Sequence, residues 1–359
     1  MDYNLSDIPS TEEKDELFEH FRFVADKGQD LIRLDKFLMN RIENTSRNKI
    51  QNASKIGCIL VNDNAEKQNY RVHPGDVVSV VMAHPPREIE IISENIPLEI
   101  VYEDEDVIVI NKAAGMVVHP AYGNYTGTLV NALMYHFEQQ SPQEPVKPYL
   151  VHRIDKDTSG IMIAAKNEPA QIRLAKNFFD HDLDRTYNAL VWGDLKEDEG
   201  TITGHIGRSL KDRKVMAVFP EGDHGKHAIT HYKVLERFGY VTLVECRLET
   251  GRTHQIRVHL RYIGHPLFND ATYGGNQILK GTTFTKYKQF VNNCFKILPR
   301  QALHAKSIGF KHPSSGEYLF FDSQLPTDMQ SVIEKWRHYA QHKTYEEEVE
   351  TEYDLTKKV

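Results

Sequence analysis

Residues 151–160 constrain this chain more than any other stretch. They read Val151, His152, Arg153, Ile154, Asp155, Lys156, Asp157, Thr158, Ser159, Gly160, and they lead straight into the apolar run Ile161 to Ala165. That order is strand, short polar turn, then a second apolar segment. Asp157, Thr158 and Ser159 can each hydrogen-bond to nearby turn backbone. Packing alone gives no reason to set a cation, Arg153, and a carboxylate, Asp155, two residues apart at the mouth of such a turn. A reactive site does. The bland alternative is an arginine–aspartate pair that stitches a hairpin, the commoner meaning for an arbitrary turn of this composition.

The rest of the chain sets the scale around that turn. At 359 residues it is too long for one typical domain and predicts two or three. With 40% hydrophobic and 26% charged residues it reads as an ordinary globular protein. No apolar run is long enough to span a bilayer, so no membrane partner is expected. The opening residues are acidic and polar, unlike a secretory or transit peptide. Cys58, Cys246 and Cys294 are odd in number and lack a C-x-x-C spacing, which argues against both a disulfide framework and a zinc site. A cytoplasmic protein is the simplest expectation.

A net charge of −7 argues against a nucleic-acid partner until the charges are located. Residues 1–30 carry nine acidic and three basic side chains, and residues 345–359 carry six and two, which leaves the body between them net positive by three. Both ends are expected to be mobile, solvated segments. A local cationic groove in the body remains open to RNA.

Residues 31–83 read as a small unit of their own. Leu34, Phe37, Leu38 and Ile42 fall at helical spacing. Ser46 is a good N-cap for a second helix with Ile50, Ala53 and Ile56 on one face, and Gly57 stops it. A strand from Cys58 to Val61 then runs into an Asn62-Asp63 turn, and a second turn at His73 to Asp76 feeds the strand Val77 to Val81. This order, with Arg33-Leu34-Asp35-Lys36-Phe37-Leu38 and Ser46-Arg47, resembles an S4 RNA-binding domain. The unit holds eight Lys/Arg against five Asp/Glu. Arg33, Lys36, Arg47, Lys49 and Lys55 crowd its two helices, where they are expected to meet phosphates; a solvated basic face is the plainer reading. Asp63 departs from the pattern, which has glycine there. Residues 84–97 read as a linker.

The unit from 98 to 344 carries the chemistry. Residues 151–160 resemble the H-R-L-D-x-x-T-S-G signature of the RluA/RluD-type pseudouridine synthases, with Ile154 for leucine. Asn111 to Pro120 is similar to that family's N-K-P-x-G-x-x-V-H-P, with Ala113 for proline, and Lys112 and His119 are candidates to line an RNA groove. Arg185-Thr186-Tyr187-Asn188-Ala189-Leu190-Val191 resembles K-x-Y-x-A-L-V, with arginine for lysine. Gly251-Arg252-Thr253-His254-Gln255-Ile256-Arg257-Val258-His259 matches G-R-[TS]-H-Q-[IL]-R-V-H, with Thr253 a plausible helix N-cap. Gly264 to Leu267, Asp270, Tyr273-Gly274 and Leu303-His304-Ala305 continue the pattern. The match runs from about 31 to 326, broken by loops expected near 195–229 and 275–300.

That resemblance implies an RNA pseudouridine synthase in which Asp155 is the catalytic carboxylate, Tyr187 stacks on the target base and takes part in proton transfer, and Arg257 contacts Asp155. It implies that Arg153 fills the gap left by an extruded base. His152 and Arg252 join the expected RNA contacts. Isomerising uridine breaks N1–C1′ and joins C5 to C1′ with no atom gained, so no cofactor or metal is expected. A carboxylate near C1′ serves either by attack or by assisting a proton transfer at C2′, and the sequence leaves both open. Asp157 is the rival carboxylate, discounted because it sits where a turn-forming aspartate belongs.

The expected fold is α+β: a mixed, mainly antiparallel sheet with flanking helices after an S4-like domain, closed by an amphipathic helix from Thr327 to His342. A monomer without protein partners is expected, acting on large-subunit ribosomal RNA in preference to transfer RNA. A non-catalytic RNA-binding or ribosome-assembly protein would tolerate loss of Asp155, Tyr187 or Arg257, and all three are present. Zinc binding fails because His254 and His259 lie five apart with no H-E-x-x-H arrangement. A kinase reading lacks the H-R-D-x-x-x-x-N spacing and a glycine-rich phosphate loop. A glycosidase lacks a partnered second carboxylate.

Overall fold

The structure, a computed structural model, describes residues 18–356 except 29, 43–44, 83–90, 121–123, 142, 144–146, 211 and 213–214. It divides into two compact units, residues 1–90 and 91–359.

The first unit contains β1 (Phe18–Val24), β2 (Ile32–Arg33), α1 (Leu34–Met39), α2 (Arg47–Lys55), β3 (Ile59–Val61), β4 (Asn64–Ala65), β5 (Arg71–Val72) and β6 (Val77–Met82). Its sheet has the order β1-β6-β3-β4, and β2 pairs with β5. Leu34, Phe37, Leu38, Ile50, Ile59 and Val78 form the core beneath the two helices. Ser46 caps α2 as expected, accepting the Lys49 N–H at 3.3 Å. Asn62 and Asp63 both have positive φ, 48° and 65°, the geometry of a tight hairpin between β3 and β4. Glycine is at home in that left-handed position, and aspartate is among the few side chains that tolerate it.

The expectation that residues 1–30 stay outside the fold is overturned by β1, which pairs antiparallel with β6 along its length. Phe21 and Phe23 pack toward the core and Arg22 faces out, the period of two that a strand requires. Averaging the segment's charge hid that alternation. Residues 1–17 lie outside the described residues.

The second unit contains β7 (Ile100–Glu103), β8 (Val107–Lys112), α3 (Leu129–Gln140), β9 (Tyr149–Leu150), β10 (Ser159–Ala165), α4 (Glu168–Phe179), β11 (Leu183–Trp192), β12 (Glu199–Arg208), β13 (Met216–Phe219), β14 (Lys226–Arg237), β15 (Val241–Leu248), α5 (Gln255–Tyr262), α6 (Thr285–Ile297), β16 (Leu303–Lys311), β17 (Tyr318–Asp322) and α7 (Thr327–Thr356). One sheet runs β13-β12-β14-β15-β11-β16-β10-β8-β7, with β17 on β16 and β9 on β10. Its described pairings are antiparallel except β10 with β16. This is the expected α+β architecture.

Several boundaries differ from the sequence reading. Residues 91–97 are not a free linker: Asn131 of α3 donates to the Ile92 carbonyl at 2.7 Å, and the Glu94 N–H donates to the Asn131 carbonyl at 3.0 Å. The expected loops at 195–229 and 275–300 contain β12, β13 and α6. α7 continues through the expected acidic tail to Thr356. Its Met329, Val332, Ile333 and Trp336 are buried against Trp192, Phe268 and α6, as the helical spacing required. No helix among the described residues is long and apolar enough to cross a membrane.

Candidate active site

Sheet order explains how distant motifs meet. β16 lies between β10 and β11, so the turn before β10 and the strand carrying Tyr187 flank one strand. Gly160 makes that parallel contact work. Its φ is +118°, and a Cβ there would lie 2.1 Å from the Ala305 carbonyl oxygen of β16. Glycine alone fits.

Asp155 sits in the turn between β9 and β10, its side chain 24% exposed. Arg257 of α5 donates from Nη1 to Asp155 Oδ2 at 2.9 Å. The same guanidinium is gripped from behind by Asp270, with Nε to Oδ2 at 2.7 Å and Nη2 to Oδ1 at 2.9 Å. Asp270 Oδ1 also accepts the N–H groups of Thr272 and Tyr273. Burial alone would pull the Arg257 pKa down, but the two carboxylates reverse this and lock its charge on.

A cavity of about 510 Å³ opens over Asp155, lined among others by His152, Arg153, Arg185, Tyr187, Arg252 and Arg257. Tyr187 is buried, and burial pushes its phenol pKa up, so the hydroxyl keeps its proton. A second cavity of about 420 Å³ meets Asp155 from the other side and includes His119, Lys156 and Asp270. The sequence-predicted trio of Asp155, Tyr187 and Arg257 thus shares one cavity. Arg153 is exposed at its wall, and Arg252 donates to the His227 carbonyl at 3.0 Å. Asp157 also lines the second cavity, while its carbonyl accepts from Arg300 at 2.9 Å.

Other expectations are corrected. Lys112 lines neither cavity at Asp155; it borders another of about 890 Å³. It is buried, and its Nζ donates to the carbonyls of Ala113, Met116 and Lys156 at 2.7, 2.9 and 3.0 Å. It ties the loop after β8 to the turn that carries Asp155. Burial pulls its pKa down to about 7, against the pull of Asp157 and Asp155. Thr253 is not the cap of α5; His254 holds that position with φ 56° and no side-chain cap. Gln255 secures the turn instead, its Oε1 accepting from the Arg252 N–H at 2.9 Å and the Thr250 hydroxyl at 2.8 Å. His254 Nε2 stands 3.9 Å from Asp155 Oδ1, and its Nδ1 pairs with the Tyr273 hydroxyl at 2.8 Å. Among the described residues no cluster fit to hold a metal occurs.

In the first unit, Arg33 and Arg47 are tied to the fully buried Asp35 at 3.0 Å each. Lys36 and Lys55 are exposed and Lys49 half-buried. The carboxylate that holds Arg33 and Arg47 also orients them, which a charge count could not reveal.

These features meet known proteins as follows. The RNA pseudouridylate synthase family profile matches residues 106–262, which include Asp155, Tyr187 and Arg257. The chain belongs to the RNA pseudouridine synthase family, enzymes that isomerise uridine within RNA. It is 47% identical over 315 residues to a protein of Chlorobaculum parvum described as an uncharacterized RNA pseudouridine synthase, covering 87% of this chain and 96% of the relative. It is 42% identical over 315 residues to a Zymomonas mobilis protein named ribosomal large subunit pseudouridine synthase D, covering 84% and 92%. Among solved structures, human RNA pseudouridylate synthase domain containing 4 shares the fold with a TM-score of 0.52 at 22% identity, over 67% of this chain and 93% of that one.

Proposed function

We propose that this enzyme converts specific uridines of large-subunit ribosomal RNA to pseudouridine, with Asp155 as the essential carboxylate. The ribosomal substrate is supported by relatives named for the large subunit, such as the Zymomonas protein. The carboxylate assignment rests on one observation above all: Asp155 is held at 2.9 Å by a locked guanidinium inside the cavity that contains Tyr187. Arg257 fixes the rotamer of Asp155 by a charge-assisted hydrogen bond from Nη1. The target base leaves its stack, and Arg153 at the cavity wall fills the gap. The uracil lies against Tyr187, N1–C1′ breaks, the ring turns and C5 joins C1′; the C5 proton passes to solvent and N1 takes up a proton, so the atoms balance.

The test is release of tritium from C5-labelled uridine RNA, beside pseudouridine mapping of ribosomal and transfer RNA with and without the gene. Asp155→Asn is nearly isosteric and still meets Arg257 through its oxygen. It should lose turnover by about 10⁴-fold while RNA affinity holds. Asp157→Asn should keep measurable turnover. A near-wild-type Asp155→Asn enzyme, or a dead Asp157→Asn enzyme, would overturn the assignment. Pseudouridines lost from transfer RNA alone would overturn the substrate.

A further inference from the structure

The cavity over Asp155 holds a buried cation, Arg185, that the chemistry above leaves unused. Arg185 is only 8% exposed, yet its Nε has no hydrogen-bond partner among the described residues. The adjacent acid does not serve it. Asp184 lies on the opposite face of β11 and accepts from Arg247 at 3.2 Å and Tyr318 at 2.8 Å. A buried guanidinium without a counter-charge is unfavourable unless a ligand supplies one.

His152 lies beside it with a second unused donor. Its Nε2 accepts the Ile163 N–H at 3.0 Å, so the one proton of the neutral ring is on Nδ1. Nδ1 is buried and has no partner among the described residues. Burial, reinforced by Arg185, pulls the imidazole pKa down to about 3, which keeps the ring neutral. Phe178 supports both groups: its ring is 4.7 Å from that of His152 and 5.2 Å from the Arg185 guanidinium. Gly251 leaves the space open, since a Cβ there would lie 3.3 Å from Arg185 Nη1.

We propose that Arg185 and His152 form an anion subsite that receives a phosphodiester of the RNA strand carrying the target uridine. This rests on reading the Asp155–Tyr187 cavity as the uridine site. Both residues line the cavity, each with an unused donor and no unused acceptor, so the ligand they suit is an acceptor and, beside a buried guanidinium, an anion. A uracil edge carries an N3–H among its carbonyls and fits less well. Arg185 and Tyr187 lie two apart on one face of β11, about 6.7 Å along the strand. A nucleotide whose base meets Tyr187 therefore brings a flanking linkage to Arg185.

The probe is a synthetic ribosomal stem-loop containing a uridine that the wild-type enzyme converts. Uncharged methylphosphonate linkages replace, one at a time, the two linkages on each side of that uridine. For the wild-type enzyme one replacement should raise KM about 10- to 100-fold, the scale of a hydrogen bond to a charged group, with a much smaller change in kcat. Arg185→Gln should show the same loss on unmodified RNA and be indifferent to that linkage, and Arg185→Lys should recover part of it. If Arg185→Gln fails to fold, the scan on wild-type and Arg185→Lys enzymes decides. A wild-type enzyme indifferent to all four linkages overturns the subsite, as do losses from Arg185→Gln and the neutral linkage that simply multiply. Failure to convert any uridine in unmodified RNA would instead sink the reading of the cavity itself.

Discussion

Asp270 decides where Arg257 points, and through it how Asp155 is presented. Arg257 is 6% exposed and has two carboxylate partners, one of them almost fully buried. Replacing Asp270 by Asn keeps an oxygen for the Thr272 and Tyr273 N–H groups but turns an amide donor toward the guanidinium. The remaining pair with Asp155 limits the damage, so the stability loss should be about 3 kcal/mol, the low end for breaking a buried ion pair. A loosened Arg257 also lets Asp155 move, and kcat should fall about tenfold or more with KM little changed. Urea denaturation and single-turnover kinetics check the two arms; an unaltered midpoint and rate would show that Arg257 needs no second anchor. At this scale the sequence was readable where motifs marked residues that come together, as Asp155, Tyr187 and Arg257 do around one cavity. It was not readable where a role depended on a partner distant in sequence. Nothing local reveals that Lys112 would point inward to the Lys156 carbonyl 44 positions away. Nor does composition reveal that Asp35 would hold Arg33 and Arg47.

Elements were legible where hydrophobic period and caps agreed. α7 is the best case, since Met329, Val332, Ile333 and Trp336 fall on one face by spacing alone and all four are buried. Trp336 packs edge-on against Trp192 and Phe290, at 6.3 and 4.8 Å between ring centroids. Trp336→Ala should cost about 3–5 kcal/mol, read as a fall in thermal midpoint. A shift of less than a degree or two would mean that the helix is not part of the core. β1 is the failure. Its alternation is short, interrupted between Glu19 and Phe21 by a register shift, and embedded in acidic sequence. Removing residues 1–24 should leave β6 with an unpaired edge and uncover part of the first unit's core. Increased proteolysis within residues 31–82, with the second unit still resistant, is the expected result. A first unit as resistant as before would restore the view of this segment as dispensable.

For the whole molecule, a net charge of −7 conceals an uneven distribution, since residues 31–344 are net positive. On the proposed reading the chemistry belongs to the second unit, where Asp155, Tyr187 and Arg257 line one cavity. The first unit contributes a small core and a set of cations, of which Lys36 and Lys55 are exposed and Arg33 and Arg47 are oriented by Asp35. If those side chains meet phosphates, removing residues 1–90 should weaken binding to long structured RNA. It should also flatten the salt dependence, by about 0.7–0.9 in the slope of log affinity against log salt for each phosphate no longer neutralised. Turnover of a short stem-loop should survive, because Asp155, Tyr187 and Arg257 and the sheet that gathers them all lie beyond residue 90. The measurement is a binding titration at several salt concentrations with both RNAs, using full-length and shortened enzyme. Equal slopes on long RNA would reduce the first unit to a structural appendage. A shortened enzyme dead on the stem-loop would mean that the reaction itself needs both units.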